Sequence, residues 1–123
     1  MARSHRWVSF ITKLNDQTQV GKIRWRSARD DDDRLVSHFQ QYGPIYSAEL
    51  DNATVRIYRE KFKKMTLDEE EYWDDSVVLD IKTSDGSDFI RIPRVAGIED
   101  LYETVAYKAN RVDEFVNKFL NEP

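Results

Sequence analysis

Apolar side chains at Ile98, Leu101, Val105, Ala109, Val112, Val116 and Phe119 recur in steps of three and four, so they return to one face of a 3.6-residue helix. The spacing predicts a single long amphipathic helix over 98–120, with Tyr102, Ala106, Phe115 and Leu120 widening the stripe and charged or polar residues covering the far side. Gly97 stands where a cap is needed. Glu99 and Asp100 put negative charge in the first turn and Lys118 a positive charge in the last. Such a helix requires an apolar surface to lie on, and the first 97 residues must supply it.

Trp7, Phe10, Ile11 and Leu14 repeat at helical spacing, with Val8 broadening the face, and predict a first helix capped by Ser4 and stopped by Gly21. Over 22–26 the pattern becomes strict alternation, Ile23 and Trp25 against Lys22, Arg24 and Arg26, which predicts a short strand. Four consecutive aspartates at 30–33 are too polar to bury. They lead into a short helix through Leu35, Val36, Phe39 and Tyr42, ended by Gly43-Pro44. Strands over 45–50 and 54–64 flank an Asp51-Asn52 turn, and in the second of them Val55 and Ile57 face one way, Arg56 and Tyr58 the other. Residues 65–76 read as an acidic loop pinned down by Leu67, Tyr72 and Trp73. Residues 77–83 alternate cleanly, and Asp85-Gly86 turns them into a last strand over 89–92. The expected fold is one α+β domain over 1–123: two layers, an antiparallel sheet of four to five strands, both terminal helices on one face, and the other face wet.

Composition narrows the chemistry. The chain has no cysteine, which excludes disulfides, thiolate metal sites and cysteine nucleophiles and suits a reducing compartment. No apolar run approaches the roughly 18 residues of a membrane span and no secretory leader opens the chain, so a cytoplasmic, membrane-free protein is expected. The net charge of −4 is blocky. Residues 1–29 hold seven bases against one acid and 54–64 five against one, whereas 30–53 hold six acids against one base and 65–88 nine against one. Such blocks read first as solvated loops and exposed strand faces.

The string Val20-Gly21-Lys22-Ile23-Arg24-Trp25, followed by Tyr46-Ser47-Ala48-Glu49-Leu50 with its Asp51-Asn52 turn and by Leu101-Tyr102, resembles a loose class of small uncharacterised bacterial α-β-β-β-β-α domains. The resemblance spans about Phe10 to Leu120. It implies a bacterial cytosolic origin and carries no assigned chemistry.

No catalytic, cofactor-binding or metal-binding set is predicted. His5 and His38 are 33 positions apart and neither stands in a triad-like arrangement. The four glycines are isolated at element ends, so no phosphate-binding loop exists, and the acidic runs 30–33 and 68–75 lack the calcium-loop pattern. What remains is a candidate contact surface: Arg24, Arg26, Arg56, Tyr58, Arg59 and Phe62, basic and aromatic side chains of the kind interfaces favour. The expectation is a non-enzymatic interaction or regulatory domain that binds a protein partner or itself as a homodimer through the outer face or edge of the sheet, with Arg56 and Tyr58 replaceable at little cost to stability. One alternative is nucleic-acid binding through the same basic and aromatic residues, or mimicry of nucleic acid by the acidic runs; a pI of about 5.2 argues against the former. Another is a ligand or enzymatic pocket between helix and sheet lined by Tyr102, Tyr107 and Arg91.

Overall fold

The computed structural model describes residues 2–28 and 40–122. The elements run α1 (Ala2–Gln19), β1 (Arg26–Ala28), β2 (Gln40–Leu50), β3 (Ala53–Met65), β4 (Glu71–Thr83), β5 (Ile90–Arg91), α2 (Ile98–Ala109) and α3 (Val112–Asn121). All five strands form one open antiparallel sheet in the order β1-β2-β3-β4-β5, each strand beside its sequence neighbour. The fold class is therefore α+β, as the alternation and helical spacing imply. Among the described residues no helix is long and apolar enough to cross a membrane.

One face of the sheet makes the core. Tyr46 and Ala48 of β2, Val55 and Ile57 of β3, and Val77 and Leu79 of β4 meet Ile11 and Leu14 of α1 and Ile98, Leu101 and Val105 of α2. The last five are each at most 5 % exposed, and burying side chains of this size is worth roughly 1.5–3 kcal/mol apiece. Helix α1 begins at Ala2, two residues before the expected cap. It ends as expected: Gly21 (φ 82°) donates to the Thr18 carbonyl and Lys22 to that of Gln17, the paired bonds that close a helix through a left-handed residue. Gly97 caps α2 at φ 92°, with Ile11 close to where a Cβ would stand.

Several expected elements are drawn differently. Residues 22–25 precede β1 and are not laddered, yet Ile23 and Trp25 are buried, and the Trp25 indole donates to the Thr18 hydroxyl at 2.9 Å. Their alternation reflects an irregular connector anchored on α1. The aspartates at 30–33 and His38 lie outside the described residues, as does most of the short helix expected through Tyr42; residues 40–42 belong to β2. Gly43-Pro44 does not stop a helix. It sits where the β2–β3 register shifts between Tyr42 and Tyr46, with Gly43 at φ 74°, an irregularity that glycine and a donor-less proline accommodate.

The largest correction concerns 98–120, which is two helices. Asn110 donates from Nδ2 to the Ala106 carbonyl and to the Tyr46 hydroxyl, Arg111 turns left-handed at φ 57°, and the axis is broken. The apolar stripe continues in sequence but not in space. Val112 is half-buried, while Val116 is 43 % and Phe119 66 % exposed, so the C-terminal half of the stripe does not lie on the sheet.

Candidate interaction surface

Side chains alternate across β3, so Arg56, Tyr58, Glu60 and Phe62 point away from the helices, and Arg59 points toward them. In register, Arg26, Ser47, Arg56, Asp80 and Arg91 form one row across all five strands of that outer face. The outer face is not wet where the row crosses its centre. Arg56 is 8 %, Tyr58 2 %, Glu60 4 % and Asp80 4 % exposed, and Ile45, Tyr58 and Val78 make a second apolar cluster there.

This layer is held by charge. The Asp80 carboxylate accepts from Arg56 Nε at 3.1 Å and from the Tyr58 hydroxyl at 2.9 Å. Arg91 reaches over β4 to grip Glu60 with two bonds of 2.9 Å, the planar fork-to-carboxylate geometry that guanidinium favours. The Phe89 ring lies over the Arg56 guanidinium at 3.8 Å. Burial, and then the neighbouring Asp80 charge and the hydrogen bond to it, push the Tyr58 phenol up to about 12 against a partial opposing pull from Arg91. Every buried side-chain polar atom of the described residues has a partner. A closed network of this kind orders the sheet.

The six expected surface residues therefore do not form one surface. Arg56 and Tyr58 are buried and structural, which corrects the expectation that they are replaceable without loss. Arg59 lies on the helix side, pairing with Glu99 at 3.3 Å and lying over Tyr102 at 4.7 Å. Arg24 and Arg26 are exposed near the β1 edge, and Phe62 is half-buried at the base of the β3–β4 hairpin. The residues expected to line a pocket are scattered too. Arg91 belongs to the outer face, Tyr102 packs edge-on against Tyr46, and Tyr107 is 54 % exposed. Among the described residues no group of three or more acidic or histidine side chains is arranged to hold a metal ion.

Two solvent-facing features were not expected. The first replaces the acidic loop: pairing continues to Met65↔Glu71, so the true turn is only 66–70, closed by Thr66, Glu69 (φ 63°) and Glu70. Beyond Lys61, the last β3 partner of β2 among the described residues, β3 and β4 continue paired with each other as a ribbon. Lys63 pairs with Glu71 at 3.6 Å and lies over Trp73 at 5.3 Å, and Lys64 pairs with Asp74 at 3.2 Å. Met65, Leu67, Tyr72 and Trp73 do not pin this segment to the core; they are 63, 104, 45 and 51 % exposed. The second is α3, which packs against α2 with a Lys108–Asp113 pair at 3.0 Å, and whose Phe115, Val116, Phe119 and Leu120 face water.

No family model, curated protein or solved structure matches the chain. The resemblance noted from the sequence thus carries no functional argument, and the reading below rests on geometry.

Proposed function

We propose that the chain is a non-enzymatic domain that acts by protein contact through the β3–β4 ribbon. The observation that carries this reading is the exposure of Met65, Leu67, Tyr72 and Trp73 together at the end of a paired ribbon. Exposed apolar side chains gathered in one segment mark contact sites, here Met65 and Trp73 on one face of the ribbon, Tyr72 on the other and Leu67 in its turn, and tyrosine, tryptophan and methionine are the types enriched at interface centres. Residues 66–75 carry six acids and no base. The partner that fits is a protein with an apolar cleft edged by lysine and arginine. The same acidity speaks against direct binding of nucleic acid by the ribbon, because phosphate would meet like charge. A cytoplasmic setting belongs to this proposal, supported by the cysteine-free composition.

The test uses the full chain and its Leu67→Ser/Trp73→Ser variant, matched for thermal unfolding, in capture from the native host with identification by mass spectrometry. Binding is then measured between purified components. A partner with a basic-rimmed cleft that binds the parent chain and not the variant supports the reading. Equal binding by both, or tight binding of single-stranded oligonucleotide that weakens steeply with salt, overturns it.

A further inference from the structure

Helix α3 carries an apolar face that the monomer leaves in water, and its flank carries a pattern of charge that suggests what covers it. Along one edge of the stripe the order is Arg111, Glu114, Lys118, Glu122, spaced three or four residues apart: Glu114 and Lys118 stand one turn apart within the helix, the N-cap Arg111 already reaches Glu114 at 3.7 Å, and Glu122 is the C-cap. The signs alternate. Read in reverse, the row is its own complement: in an antiparallel pair Arg111 stands near Glu122 of a second copy and Glu114 near its Lys118, with the symmetric contacts repeated. A parallel pair offers no such matching. A two-fold interface requires a patch complementary to itself, and this one is.

We infer that α3 is a self-association helix that pairs antiparallel with α3 of a second copy of this chain, Val112, Phe115, Val116, Phe119 and Leu120 forming the seam. Within one copy the Phe115 and Phe119 rings already stack with centroids 6.0 Å apart, so the face is preformed. Phe115 and Phe119 are each 66 % exposed and Leu120 73 %, and two copies joined here would cover on the order of 1,000 Å², the low end for specific interfaces. The pair is accordingly reversible and concentration-dependent. The inference shares with the proposed function only the premise that this is a contact domain; it uses a different surface and can fail alone.

Sedimentation velocity of the full chain over micromolar to millimolar concentration tests it. The expected result is a monomer–dimer equilibrium. Phe115→Glu/Phe119→Glu weakens it on the order of a hundredfold with the circular dichroism of the fold retained, since removal of central aromatic anchors has effects of this size. Lys118→Glu weakens it and Lys118→Glu/Glu114→Lys restores it. Because the chain has no cysteine, a single introduced one reports geometry. Val116→Cys lies near the two-fold axis and forms a cross-linked dimer on oxidation, whereas Asn121→Cys lies about 14 Å along the axis from its copy and does not. A chain that stays monomeric throughout, a dimer indifferent to the α3 substitutions, or preferential cross-linking through position 121 overturns the proposal. Leu67→Ser/Trp73→Ser leaves the dimer unchanged; loss of the dimer with that variant would assign self-association to the ribbon instead.

Discussion

Removing the Asp80 carboxylate tests the outer-face network most directly. In Asp80→Ala the Arg56 guanidinium, at 8 % exposure and covered by Phe89, loses the acceptor at 3.1 Å, and the Tyr58 hydroxyl loses its acceptor at 2.9 Å. Breaking a buried ion pair from one side costs about 3–5 kcal/mol, because the remaining charge stays desolvated. The tyrosine contributes to the same figure and is not added to it. Against the roughly 5–15 kcal/mol that holds a domain folded, this is a large fraction. Urea unfolding followed by circular dichroism reads it: with a slope of about 2 kcal/mol per molar, the midpoint falls by roughly 1.5–2.5 M. Replacing both partners, Arg56→Met with Asp80→Leu, removes the stranded charge and recovers that share of the loss, while the Tyr58 hydroxyl still lacks its Asp80 acceptor. The exposed Lys64–Asp74 pair at 3.2 Å is the control, and Lys64→Ala moves stability by no more than about 1 kcal/mol. A loss below about 1 kcal/mol for Asp80→Ala, or a double variant weaker than the single, would refute the claim that the network is buried and mutually dependent.

Three further outcomes follow from the same geometry. The Tyr58 phenol is held neutral in the fold up to about 12, above its unfolded value near 10, so the unfolded chain loses its proton first as pH rises. Stability is intact below pH ~10 and declines by up to ~2–3 kcal/mol toward pH ~12; Tyr58→Phe should flatten that part of the profile, and an unchanged slope in that variant would remove Tyr58 as its source. Leu101→Ala, at 0 % exposure, costs about 2–5 kcal/mol in denaturant titration, whereas Leu67→Ala at the ribbon tip stays within about 0.5 kcal/mol. Gly97→Ala puts a side chain where φ is 92° and lowers stability by ~1–2 kcal/mol; a neutral result in calorimetry would mean that the α2 cap relaxes to another conformation.

How far the sequence revealed this architecture depended on whether a pattern had a core to report. Residues 77–83 alternate because one of their faces meets the helices, and they form a strand as read. The extension of that strand back to Glu71 has water on both sides, so no alternation betrays it, and only cross-strand pairing does. Taking 66–70 as the turn aligns Lys63 with Trp73 and Arg56 with Asp80, so one choice of hairpin centre locates both the ribbon and the buried ion pair. Charged residues on the outer side of β3 read as exposed because their partners lie 16 to 31 positions away in Ser76, Asp80 and Arg91. The break at Asn110-Arg111 was hidden for a different reason: apolar spacing stays in phase through it, and a left-handed arginine leaves no mark on periodicity.

The ordering of the strands has a kinetic corollary. Because every strand lies beside its sequence neighbour, the β2–β5 meander can close by successive short hairpins, with little chain entropy lost at each step, and the long β3–β4 pair offers an early local nucleus. The contacts of α1 with α2 instead join residues some ninety positions apart, as Ile11 and Leu101 do in the core. Docking of α1 onto α2 is therefore the contact that ties the two ends of the described chain into one cooperative unit.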